Sequence, residues 1–215
     1  MLRDVNSTEI FTVLIIVGLT FIAIAKVLFP KRFDDFTLVL GNSKYLKIYA
    51  REQKFLDRFD ALLFINLILS ISIFCIIAYQ SLNTHIAVSV TLMFKLVFGI
   101  GVFILIKVLV ERLLGSLFDI DSLIDHYLFQ KISYKNFIGL VLIPVNALLL
   151  FTFTPSAKII YVILFLLFVI IIIGLITSIK SYQSLIKNNL FYFILYLCAL
   201  EIAPYVILYK VLMLN

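Results

Sequence analysis

Residues 159–179 read IIYVILFLLFVIIIIGLITSI, and this stretch decides the fold. It is apolar on every side, whatever element it forms. A helix needs about 20 apolar residues to cross roughly 30 Å of hydrocarbon, and this run has that length. A membrane barrel strand would instead alternate apolar and polar residues over about ten positions. Lys158 and Lys180 bracket the run. It therefore reads as a transmembrane helix, and its Ile, Leu, Val and Phe composition predicts a lipid-facing one.

The same criterion, carried outward, predicts six spans: Ile10–Phe29, Ala61–Tyr79, Ile86–Val110, Phe137–Phe153, Ile159–Ile179 and Leu190–Met213. Of the 215 residues, 64% are hydrophobic, and the mean hydropathy is +1.18. Soluble domains are nearer half apolar. The expected fold class is thus an all-α integral membrane protein, a single transmembrane helical domain. The third and sixth spans are long, so tilt or a kink is expected. The start of the chain does not read as a cleaved leader. Asp4 and Glu9 offset Arg3, and Phe29-Pro30-Lys31-Arg32 offers no small-residue cleavage pattern.

The connections alternate in charge. The first carries Lys31, Arg32, Lys44, Lys47, Arg51, Lys54 and Arg58. The third carries Arg112, Lys131 and Lys135, and the fifth Lys180 and Lys187. The second has no lysine or arginine, and the fourth has only Lys158. Lysine and arginine collect on the cytoplasmic side of membrane proteins. Both termini are accordingly expected on the non-cytoplasmic side, with all sizeable loops cytoplasmic. That asymmetry also accounts for the net charge of +6 and the pI near 9.3. Without a recognised motif, the charge does not indicate nucleic-acid binding.

Two short cytoplasmic interfacial helices are expected. Gly41-Asn42-Ser43 supplies a turn, and Tyr45, Ile48, Tyr49, Phe55, Leu56 and Phe59 then recur at helical spacing. In the second loop Asp121 can cap a helix whose apolar face is Leu123, Ile124, Tyr127 and Leu128. Packing against the cytoplasmic end of the bundle is the simplest role for both. A docking surface for a partner is the alternative.

Ionisable groups inside spans are the candidate functional residues, because burying them is costly. Glu201 lies near the middle of the last span, and Lys95 at similar depth in the third. Facing each other, they would form an intramembrane pair that fixes helix registry or carries a proton or substrate. Asn66 and Ser70 share a face of the second span, and Asn146 follows Pro144 in the fourth. Pro204 and Tyr205 follow Glu201. Gly99 and Gly101 would allow close helix approach. Together these predict a polar layer of Lys95, Glu201, Asn146, Asn66, Ser70 and Tyr205 between spans two, three, four and six. Ordinary interhelical hydrogen bonding explains such a layer better than a transport site does.

Other chemistry finds little support. Cys75 and Cys198 fall in apolar runs and read as buried hydrophobes. Asp119, Asp121, Asp125 and His126 lack the loop spacing and glycine turn of a calcium site. His85 and His126 fall on opposite sides of the membrane. No metal, cofactor or catalytic residue is therefore assigned, and the chain has no nucleophile elbow, zinc helix, phosphate loop or dinucleotide fingerprint.

The run Tyr196-Leu197-Cys198-Ala199-Leu200-Glu201-Ile202-Ala203-Pro204, then Tyr209-Lys210, stands in the last span. Tyr134-Lys135-Asn136-Phe137-Ile138-Gly139-Leu140 precedes the fourth. With these the chain resembles an uncharacterised family of small polytopic inner-membrane proteins from Bacteroidota, a domain of unknown function. The resemblance implies a bacterial inner membrane and the same helical domain, but no reaction. It directs attention to Glu201, Pro204 and Tyr209. Three functions fit the sequence: a non-enzymatic subunit or assembly factor working with other inner-membrane proteins, a small transporter or channel using Lys95 and Glu201, and a lipid-modifying enzyme with Glu201 as acid or base. The first is preferred on size and the lack of catalytic motifs.

Overall fold

The structure, a computed structural model, describes residues 5–41, 44–50, 57–82, 90–117, 121–153, 155–181 and 210. The described residues fold into α1 (Val5–Leu28), α2 (Pro30–Thr37), α3 (Lys44–Tyr49), α4 (Arg58–Leu82), α5 (Val90–Leu117), α6 (Asp121–Phe151) and α7 (Ala157–Ser181). Five of them, α1, α4, α5, α6 and α7, are long and apolar enough to cross a membrane. The sixth predicted span, with Glu201 and Tyr205, lies outside the described residues apart from Lys210.

Helices α4 and α6 form the centre, with α1, α5 and α7 packed around them. About half of each central span is buried, against 11% of α7. The difference follows from side-chain type. The α4–α6 contact holds the small and polar groups Asn66, Ser70 and Gly139, whereas α7 presents branched and aromatic side chains outward. In lipid, an apolar helix gains nothing by burying itself, so packing and polar contacts decide which helices sit inside.

Two cores result. One, around Phe11, Ile73, Phe74, Ile77, Leu142 and Ile160, lies among α1, α4, α6 and α7. The other lies at the basic end and includes Phe33, Phe36, Tyr45, Phe59, Leu63, Phe129 and Tyr134. Phe36 is its hub. The rings of Tyr45, Phe59 and Phe137 pack edge-on around it at 5.4, 5.7 and 6.1 Å.

The connection between α1 and α4 departs from expectation. Proline takes the first position of α2, where its missing N–H costs nothing and its fixed φ suits the helix. Phe29 ahead of it turns the chain, with φ −134° and ψ 57°. Phe33 and Phe36 then face inward one turn apart. The first predicted interfacial helix falls partly outside the described residues, which hold α3 over Lys44–Tyr49 and resume at Asp57. Tyr45 and Leu46 are buried in the basic-end core, while Ile48 is exposed. The second interfacial helix does not stand alone. Asp121 opens α6, which continues unbroken to Phe151. At 1.5 Å per residue α6 is about 46 Å long. It exceeds the hydrocarbon thickness by several turns, and its polar first half projects at the basic end.

Candidate functional site

The polar side chains of the described residues gather in three places. The first is at membrane depth between α4 and α6. Ser70 Oγ donates to the Asn66 carbonyl at 2.7 Å and lies 3.0 Å from the Gly139 carbonyl across the helix pair. Asn146 Nδ2 donates to the Ser70 carbonyl at 2.9 Å. All three side chains are fully buried. Gly139 makes the approach possible: a Cβ there would stand 2.6 Å from Leu67 Cα. On the other side, a Cβ on Gly18 of α1 would stand 3.1 Å from Asn66 Oδ1. The layer is thus closed by backbone on two sides.

Of the predicted layer, the structure brings together Asn66, Ser70 and Asn146. Lys95 is not among them. It is exposed on the outer face of α5, next to the exposed Phe94. The helix turns instead on Met93 and Gly101, which are buried, and a Cβ on Gly101 would meet Ile68 Cδ1 at 3.2 Å. Gly99 has nothing within 4 Å, so it makes no close approach to a described residue. The pairing expected of Lys95 falls on Glu201, which lies outside the described residues. Cys75, expected to be buried, is exposed on α4.

The second cluster ties α2 to α4. Arg32 bonds Asp57 through Nη1 and Asp60 through Nη2, the latter at 2.9 Å. The Arg32 and Asp60 side chains are only 11% and 8% exposed. The guanidinium also lies over the rings of Phe59 and Tyr49, 4.7 and 5.1 Å from their centroids. Tyr49 OH donates to Asp35 at 3.2 Å, and Asn136 reaches the Asp60 carbonyl at 3.4 Å. Burial lowers the Arg32 pKa, but Tyr45 and Asp60 more than offset it, so the group stays charged.

Tyr45 is fully buried beside this pair. Burial first, and then the charge of Asp60, push its phenol well above the ordinary value of 10.0. The opposing pull of Arg32 is smaller. A raised pKa in the folded state means that folding favours the protonated phenol. This contribution is fully present below about pH 10, the unfolded value, and is lost as pH rises through the folded one. Alkaline melts in detergent are therefore expected to show stability falling above about pH 10. Tyr45→Phe should flatten that fall; an unchanged slope in the variant would refute the assignment.

The third cluster joins α5 to α6. Lys131 Nζ lies 2.6 Å from Glu111 Oε1, and Lys107 Nζ lies 4.0 Å from the same oxygen. Glu111 is fully buried, and the Lys107 and Lys131 side chains are 6% and 12% exposed. Lys131 also stands over the Tyr127 ring at 5.6 Å. Just beyond, Arg112 and Asp125 form a looser, more exposed pair at 3.5 Å. Sequence reading missed both charged clusters. Their signals were present: Lys107 and Glu111 are spaced i, i+4, and Arg32 shares its loop with Asp57 and Asp60. Charges near helix ends are most often solvated, however, and spacing alone does not distinguish the buried ones.

The Tyr134–Leu140 run earns its specificity structurally. A Cβ on Gly174 of α7 would meet the Tyr134 ring at 2.9 Å. Asn136 reaches α4, Phe137 packs on Phe36 of α2, and Gly139 opens the α4 contact. One segment thus meets three helices. Among the described residues no group of three metal-ligating side chains comes together.

Among the described residues, five helices long and apolar enough to cross a membrane, with polar contacts buried between them, define the class: an all-α, multi-pass membrane protein. The chain belongs to a family described as a domain of unknown function (DUF4271), whose match covers residues 11–212. No curated protein and no solved structure shows detectable similarity to it.

Proposed function

We propose that the chain is a non-enzymatic subunit or assembly factor of a complex in the inner membrane of a bacterium of the Bacteroidota type. Its basic end lies in the cytoplasm and both termini lie outside. The lysine and arginine distribution supports this orientation. One observation carries the functional reading: Lys95 is exposed among the described residues, on the outer face of α5. A charge turned outward at membrane depth needs a counter-charge or a polar neighbour. A partner helix supplies one in this reading; Glu201 of the same chain supplies one in the competing transport reading.

The polar layer supports a holding role over a route. Ser70 bonds the backbone carbonyls of Asn66 and Gly139, Asn146 bonds that of Ser70, and Gly139 lets α6 close on Leu67 of α4. Native mass spectrometry of the tagged chain, gently extracted from its own cells, tests the proposal. A stoichiometric second protein, lost in Lys95→Leu, is the expected result. A lone monomer or homo-oligomer would overturn it and turn attention to transport through Lys95 and Glu201.

A further inference from the structure

Helical glycines in this protein mark places where two helices meet closely. A Cβ on Gly18, Gly101, Gly115, Gly139 or Gly174 would stand between 2.6 and 3.2 Å from an atom of a neighbouring helix. Gly99 of α5 breaks this pattern. A Cβ there would meet no described residue within 4 Å, and the position is exposed. Glycine inside a helix costs about 0.5–1 kcal/mol relative to alanine, so an outward glycine does nothing for its own helix. What it offers is room for a second backbone.

Lys95 precedes Gly99 by one turn, on the same face of α5, and is exposed as well. Phe94 and Phe98 flank the two at 70% and 74% exposure. Lys95 stands 12 residues from Lys107 of the basic-end cluster, a rise of about 18 Å along a helix. In a hydrocarbon layer of about 30 Å, that places Lys95 inside the membrane. The outward face of α7 is built differently. It is branched and aromatic, and its glycine, Gly174, packs inward against Tyr134. A face that meets only acyl chains needs neither an ammonium group nor a glycine. A carboxylate satisfies the ammonium group at that depth, and the glycine lets the helix that carries it come close.

We propose that α5 docks a transmembrane helix of a partner protein on the face of Lys95 and Gly99, and that this helix carries an aspartate or glutamate at the level of Lys95. The inference rests on the subunit reading above and adds to it the docking face and the chemistry of the partner. Phe94 and Phe98 pack beside the ion pair and keep lipid from between the two helices.

A photoreactive p-benzoylphenylalanine placed at Phe98, in the full chain in its own membranes, tests the docking. Irradiation should link it to a second protein, through an apolar run of about 20 residues that contains Asp or Glu. The same probe at Phe165, exposed on α7, should not reach that protein. Native mass spectrometry then reads the complex. Gly99→Leu and Lys95→Gln should each lower the share of chains carrying the second protein about tenfold, whereas Lys95→Arg should keep it. Gly99→Leu should melt with the wild type, since no described residue lies against that position; if it does not, Lys95→Gln carries the test. A stoichiometric second protein retained in both variants would overturn the docking face and leave the subunit reading standing. No second protein at all would overturn both. A link from position 98 to residues 190–213 of the same chain, or to a run without an acidic residue, would also overturn the proposal.

Discussion

Gly139→Ala is expected to destabilise the protein by about 3 kcal/mol or more, and Gly139→Val to abolish its folding. Overpacking a core usually costs about 1–3 kcal/mol, because side chains move aside. Here they are not what must move. The added Cβ would stand 2.6 Å from Leu67 Cα and 3.1 Å from Leu67 N, so the whole of α4 would have to retreat from α6. Retreat would break the Ser70 bond to the Gly139 carbonyl and the Asn146 bond to the Ser70 carbonyl together. Interhelical bonds of this kind contribute only about 0.6 kcal/mol each on average. Steric contact is therefore the larger part of the loss. Gly99→Ala is the control, since no described residue lies within 4 Å of that position, and it should be near neutral. Thermal melts in a mild detergent compare the two. A Gly139→Ala melt within a degree or two of Gly99→Ala would mean that α4 and α6 do not meet here.

The contrast between these glycines shows what a sequence of this kind discloses. Spanning helices are legible because the bilayer demands a long unbroken apolar run, as in residues 159–179. Asn66 and Ser70 are legible as a pair because i and i+4 share a helix face. The partner across the interface is harder to read. Asn146 and Lys95 both read as members of a polar layer, and the rotation of each helix about its axis decides which way such a side chain turns. In water, an amphipathic pattern would reveal that rotation. In lipid both faces are apolar, so α5 carries almost no such pattern. The lysine that marks its outer face looks no different in sequence from one that marks an inner face.

The connection before α4 was obscured for another reason. Its aromatic spacing from Tyr45 to Phe59 fits one continuous helix, but the segment before it holds the stronger determinant. Pro30 starts a new helix straight after α1, and Phe33 and Phe36 anchor it in the basic-end core. A proline directly after an apolar run marks the end of a span. The same residue also marks the first turn of the next helix. Both readings hold here, and the stop had masked the start.

Arg32→Met should cost about 3–5 kcal/mol, the usual loss when one partner of a buried ion pair is removed. Most of that loss comes from what is left behind. Asp60, with 8% of its side chain exposed, would lose its cation while keeping its charge away from water. The rings of Phe59 and Tyr49 would lose the guanidinium that lies over them as well. Asp57 is 38% exposed, so Asp57→Asn should cost less than about 1 kcal/mol, in the range of surface pairs. The double variant Arg32→Met with Asp60→Leu separates a pair that stabilises from a pair that only specifies. Replacing both members of a buried pair by apolar groups is often neutral. Recovery of most of the loss would then show that Arg32 and Asp60 fix where α2 docks on α4 rather than add net stability. The coupling between the two sites should exceed about 2 kcal/mol in a double-mutant cycle. Additive losses would instead show that the two side chains act independently, and α2 would owe its place to Phe33 and Phe36 alone.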